Sequence, residues 1–195
     1  MGGDYAINER YRERLLLPDG RTATLRMVAA EDKPLFQAAL ARYSDSVTYF
    51  RFFIVKKQFT PRELQWLTEF DGYHHLAMGI TSHENGQEIG VGVARFVRSR
   101  DEPDHAEVAF ALGDPFQGLG LGKLLLSRLA RAAIERGIRF FCCDVLAENR
   151  RAHRFLSQYQ PESLPSDDPL IRRYRVDARR MAGESGQRPQ QGDLQ

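Results

Sequence analysis

The residues most able to do chemistry lie in one short run. Asp114-Pro115-Phe116-Gln117-Gly118-Leu119-Gly120-Leu121-Gly122 joins an apolar stretch, Ala106 to Leu112, to an amphipathic one beginning at Leu121. A Gly-rich turn at the mouth of a helix leaves backbone N–H groups unpaired at the positive end of the helix dipole, and glycine lets an anion approach the backbone closely. Phosphate binding is the chemistry this implies; the bland alternative is a tight turn that packs closely. A mononucleotide P-loop would need Gly at 117 and Ser or Thr at 124, where Gln117 and Leu124 stand. A dinucleotide fingerprint would need Gly at 123, where Lys123 stands, after a chain-initial βαβ unit that the pattern lacks. Both fail on spacing. Cys142 and Cys143, the only cysteines, are adjacent in an apolar run, which suits interior packing better than an acyl-enzyme nucleophile, a disulfide or a zinc set. His74, His75 and His105 have no partner set with metal-ligand spacing, so no metal is expected.

The elements around that loop follow from periodicity. An opening hairpin over 12–28 turns at Pro18-Asp19-Gly20. A helix from Glu31, Asp32 and Pro34 ends near Tyr43, and a second spans Ser44 to Phe53. Thr60-Pro61-Arg62-Glu63 has the spacing of a capping box, and Leu64, Trp66, Leu67 and Phe70 mark the inner side of the helix it opens. Leu76 to Thr81, Ile89 to Val97 and Ala106 to Leu112 read as an antiparallel meander. After the loop comes a helix with Leu121, Leu124, Leu125, Leu129, Ala132 and Ala133 inward, stopped by Gly137. Arg139 to Leu146 is a buried strand, Asn149 to Tyr159 a short helix, and Leu170 to Val176 a last strand.

At 195 residues, 42% hydrophobic, the chain suits one globular domain, expected over 1–182, with a polar Gly/Gln/Pro-rich tail over 183–195 that cannot order itself. The formal charge is +2, from 28 basic against 26 acidic residues, so Arg150-Arg151 and Arg172-Arg173 read as a solvated face and no nucleic acid partner is expected. No apolar run reaches the roughly 20 residues of a membrane span, and Ala6 occupies the place where a myristoylation signal needs Ser or Thr. A cytoplasmic protein with no membrane partner is the expectation, and a homodimer stays open.

Gln117-Gly118-Leu119-Gly120-Leu121-Gly122 resembles the Gln/Arg-x-x-Gly-x-Gly/Ala acyl-CoA loop of the GNAT N-acyltransferase superfamily, and the resemblance extends over about residues 22–176. Arg42-Tyr43-Ser44, Tyr49-Phe50-Arg51-Phe52-Phe53 and Ala106-Glu107-Val108-Ala109-Phe110 are similar to the catalytic domain of bacterial protein lysine acetyltransferases. No stretch looks like the cyclic-nucleotide-binding or synthetase-like domains often joined to them, so a catalytic unit alone is expected. The resemblance implies an α/β (α+β) fold whose mixed, mostly antiparallel central sheet carries helices on both faces.

It also implies roles. Acetylation needs a neutral amine, and Glu107, expected among small and apolar neighbours, is the candidate base; pairing with an arginine is the structural alternative. Glu148 competes for that role, with helix capping as its plainer use. The family pattern puts the oxyanion donor at the backbone N–H of Ala111. Leu112 and Gly113 would pair with the pantetheine arm, and Gln117, Gly118, Leu119, Gly120, Leu121, Gly122 and Lys123 would hold the pyrophosphate of acetyl-CoA, the co-substrate. Asn149 would open the helix on the far side of the cleft, or serve only as its cap. Many members carry a tyrosine acid where this chain has Leu156; Tyr159 and Ser157 are near but off that position. Arg42, Tyr43 and Arg51 fall at the edge where the acceptor enters. The implied function is acetyl transfer from acetyl-CoA to a protein lysine by direct attack. The alternatives are acetylation of a small-molecule amine and a non-catalytic acyl-CoA-sensing module.

Overall fold

A computed structural model describes residues 4–184. Eight strands form one sheet: β1 (Arg12–Leu16), β2 (Thr22–Met27), β3 (His75–Glu84), β4 (Gln87–Arg98), β5 (His105–Leu112), β6 (Phe140–Leu146), β7 (Glu162–Leu164) and β8 (Ile171–Asp177). Their spatial order is β1-β2-β3-β4-β5-β6-β8-β7. Every pairing is antiparallel except β5 with β6. That exception follows from connectivity: a parallel neighbour needs a crossover, and the helix α4 (Leu121–Glu135) supplies it. The mixed, mostly antiparallel sheet with helices on both faces agrees with the fold class read from sequence.

One face is covered by α4, whose Leu125, Leu126, Leu129, Ala132 and Ala133 are fully buried with Phe96 and Phe141 of the sheet. The other is covered by α1 (Lys33–Arg42), α2 (Asp45–Phe52) and α3 (Pro61–Thr68), with α1 on β4 and α2 on β5. Leu67 of α3 is buried as expected, but Trp66 is 51% exposed. Adjacent helical residues point about 100° apart, so both cannot face the core; Trp66 lies instead over His75 and Arg95. Leu124, expected inward, is only partly buried.

The helix starts are chemically specified. Ser44 caps α2, and Asp114 accepts from both the Ser44 N–H (3.0 Å) and hydroxyl (2.9 Å), tying α2 to the end of β5. Thr60 and Glu63 form the capping box of α3, with Lys56 on Glu63 at 2.6 Å. Thr60→Ala is expected to cost about 1 kcal/mol, read as a lowered urea midpoint at unchanged slope. The bond from Lys56, followed by that from the Thr60 N–H, holds the Glu63 carboxyl down at about 2. A depressed carboxyl pKa stabilises fully above the ordinary value of 4.5, and its contribution disappears as pH falls through about 2.

Two elements were not foreseen: β7, and α6 (Ala178–Ala182), which buries Met181 and Ala182 against the core and ends at Gly183 in the left-handed conformation. Gly183 and Glu184, the first two residues of the expected tail, thus close α6, and the rest of that expectation, 185–195, lies outside the described residues.

Candidate active site

The sheet opens where the chemistry was sought. β5 pairs with β6 only at His105↔Phe140, Ala106↔Phe141 and Glu107↔Cys142, while β5 stays paired to β4 through Leu112 and β6 to β8 through Leu146. Beyond Glu107 the two strands part, leaving a cleft edged by Val108–Leu112. On the α4 side, Phe155 of α5 (Arg150–Ser157) reaches across to Phe110, ring centroids 5.3 Å apart.

Ladder phase decides which backbone groups line that cleft. Gly113 donates to the Val91 carbonyl and Ser99 to the His105 carbonyl, and the register between them is unbroken. Odd-numbered residues of β5 thus turn N–H and C=O toward β4, and even-numbered ones toward the cleft. This corrects the expected role of Ala111: its N–H faces Val93 within the sheet, and the open edge belongs to Val108, Phe110 and Leu112. The Gly113 N–H is likewise spent on β4, and Gln117 Nε2 donates to the Leu112 carbonyl at 3.0 Å. Among the described residues Leu112 keeps a free N–H on the edge; Gly113 does not.

The glycine loop sits at the cleft's end. Gly118 and Gly120 have φ of +82° and +78°, and Gly120 is the N-cap of α4 with no side-chain cap bond. The first helical bond is Leu124 N–H to the Gly120 carbonyl. Among the described residues the N–H groups from Gly118 to Lys123 find no backbone acceptor. They converge at the positive end of a 15-residue helix, and Cβ positions built at Gly118 and Gly120 meet only open space. Gly122 is tighter: a Cβ there would lie 3.1 Å from Leu112 Cδ1. Lys123 is exposed at the rim, and Arg151 of α5 donates to Gln117 Oε1.

Glu107 stands at the last paired position before the strands part, and its side chain is exposed. The enclosure by small neighbours expected from sequence is absent, since Glu107 is exposed on β5. The structural alternative fails too: no ion pair engages Glu107 among the described residues. Glu148 does not cap α5; Asn149 does, accepting from Ala152 N–H at 3.0 Å, while Glu148 accepts from Tyr49 hydroxyl of α2 at 2.9 Å. Leu156 is buried in the core, Ser157 hydroxyl donates to Arg154 carbonyl, and the Tyr159 hydroxyl is buried without a partner among the described residues. Burial pushes both cysteine thiols up, away from the thiolate a nucleophile needs.

Behind Ala111, under α1–α3, lies a small, open-mouthed cavity of about 60 Å³. Tyr43, Arg51 and Arg95 line it with the aromatic rings of Phe36, Phe52 and Phe59. Burial drives the Tyr43 phenol up to about 12, Arg51 down to about 10 and Arg95 down to about 9, so both arginines remain charged at neutral pH. Arg51 was placed near the acceptor entrance from sequence. Arg95 was missed, although an arginine inside the apolar run Val91-Gly92-Val93-Ala94-Arg95-Phe96 was the available signal.

Among the described residues no three His, Cys, Asp or Glu side chains are grouped to hold a metal, and no helix is long and apolar enough to cross a membrane.

The model of the acetyltransferase (GNAT) family matches residues 41–159. An acetyltransferase of Pseudomonas aeruginosa is 31% identical over 134 residues, 69% of this chain and 72% of the relative. The acetyltransferase Pat of Mycolicibacterium smegmatis is 34% identical over 116 residues, 60% of this chain but 34% of that longer protein. The crystal structure of the GNAT domain of S. lividans PAT superimposes with a TM-score of 0.75 at 25% identity, covering 85% of this chain and 96% of that one.

Proposed function

The chain belongs to the GNAT acetyltransferase family and is an N-acetyltransferase, and from that premise we propose that it transfers acetyl from acetyl-CoA to a protein lysine by direct attack. The observation that carries the reading is the joining of two features: a strand edge freed by the parting of β5 and β6, and a helix mouth whose amides have no internal acceptor.

In this mechanism the pantetheine arm adds to the open edge of β5 at Leu112. The diphosphate rests on the N–H groups of Gly118, Leu119, Gly120, Leu121, Gly122 and Lys123, with Gln117 fixing the loop and Asn149 the far wall. The thioester carbonyl then meets an N–H of the open edge, Phe110 or Leu112, in place of the Ala111 donor first expected. The incoming amine attacks from the Glu107 side of the sheet. Glu107, exposed and unpaired, takes its proton directly or through a water. The CoA thiolate is a modest base and leaves without a tyrosine acid at 156.

A protein acceptor is favoured by the likeness to Pat and by the half-open face around Glu107, which admits a long side chain from outside. The test is acetylation of a lysate with and without the chain, read by mass spectrometry for lysines and small amines together. New acetyl-lysine on a restricted set of proteins is expected. Modified small amines alone would shift the acceptor class, and no acetyl transfer with tight CoA binding would favour a sensing module.

A further inference from the structure

The cavity under α1–α3 has a charge imbalance that the acetyl group does not answer. Three arginines line it, Arg26, Arg51 and Arg95, against one carboxylate, Asp32. Asp32 belongs to Arg26, which grips it at 2.7 Å through both guanidinium nitrogens. Arg95 is 2% exposed; it donates to the Leu67 carbonyl at 3.0 Å, meets His75 Nε2 at 3.2 Å and lies over the Trp66 ring, with no carboxylate. Burial first and Arg95 second hold the His75 imidazole down at about 4, so it is neutral and adds no charge. Arg51 is held only by the Phe52 ring, 4.8 Å from its guanidinium, and makes no hydrogen bond or ion pair with the described residues. The Tyr43 hydroxyl likewise has no partner among them. A buried guanidinium without a counter-ion is costly. Fully buried Arg95 and partly buried Arg51 face one cavity with no carboxylate of their own, an arrangement that suits an anion arriving from outside.

We propose that this cavity binds the carboxylate end of a substrate, with Arg51 and Tyr43 contacting it and Arg95 as the fixed positive wall behind. Apolar walls at Phe52 and Leu67 accommodate a short methylene chain between that carboxylate and the open strand edge of β5, beside Ala111. The carboxylate belongs either to the acyl group or to the amine acceptor; this assignment to a substrate rests on the acyl-transfer reading, whereas anion binding does not.

Calorimetric titration of the full chain with succinate and with neutral succinamide tests the site itself. Saturable succinate binding, about tenfold or more tighter than succinamide, is expected. Arg51→Gln should lose that preference, Arg51→Lys should restore part of it, and Tyr43→Phe should weaken it. Equal binding of the two probes, or unchanged preference in Arg51→Gln, overturns the proposal. Thiol release then separates the sources: succinyl-CoA against butyryl-CoA with one amine, and acetyl-CoA with glutamate against glutamine. A preference of about tenfold in one arm, lost in Arg51→Gln, identifies the carboxylate's owner. Two flat arms overturn the substrate role. If no donor releases thiol while succinate still discriminates, the acyl-transfer reading fails and the anion site stands.

Discussion

Gly120→Asp should weaken acetyl-CoA binding by about two orders of magnitude or more, roughly 2.8 kcal/mol, without unfolding the protein. The separation of the two effects comes from the position. Gly120 has φ +78°, in the left-handed region that Asp and Asn enter more readily than other side chains, and its added Cβ would touch nothing. As the N-cap of α4 it has no side-chain cap, and aspartate is among the best residues there because it accepts from the helix's first N–H groups and suits the dipole. The fold is therefore not expected to suffer beyond about 1 kcal/mol of backbone strain. The same carboxylate would occupy the seat proposed for the diphosphate and repel it. Gly120→Asn is the neutral control, expected to lose about tenfold or less, since only space and amides are taken. Isothermal titration with CoA and thermal melting of the same samples read both. Equal affinities for Asp and Asn would remove the anion from this helix mouth.

Glu107→Gln should lower turnover by about 10² to 10⁴ at neutral pH while leaving acetyl-CoA affinity unchanged. Glutamine keeps the shape and cannot take a proton. Glu107 makes no ion pair among the described residues and is itself exposed, so the substitution breaks no packing. Any loss is then chemical and not structural. The pH dependence distinguishes a base from a mere contact. At high pH a growing fraction of the amine is already neutral, so the variant should approach the wild type; a contact residue would leave a constant ratio. Turnover unchanged across the range would take the proton-accepting role away from Glu107.

The parts of this molecule that sequence made legible are those whose signals are local. Thr60-Pro61-Arg62-Glu63 is a complete capping box in four residues, and the same bonds appear in the structure. The Gly-rich run at the mouth of α4 is equally local, and its N–H groups from Gly118 to Lys123 find no backbone acceptor among the described residues. What escaped depends on partners far along the chain. β7 is three residues held by β8 and by Arg175 on Glu162, with no alternation of its own to read. Whether the Ala111 or the Phe110 N–H faces the cleft depends on ladder phase, and one residue of phase reverses every backbone group on the strand. The exposure of Glu107 depends on what packs over that part of the sheet, which periodicity within β5 does not encode. Arg95 was visible as a charge in an apolar run, yet its meaning comes only from Arg51, forty-four positions earlier, facing the same cavity.

A crystal structure of the chain with CoA tests the central claim most directly. The two phosphates are expected within hydrogen-bond reach of the N–H groups of Gly118 to Lys123, with the pantetheine arm along the open edge of β5 between Val108 and Leu112. CoA seated elsewhere, or a β5–β6 cleft closed by protein while CoA is bound, would contradict it.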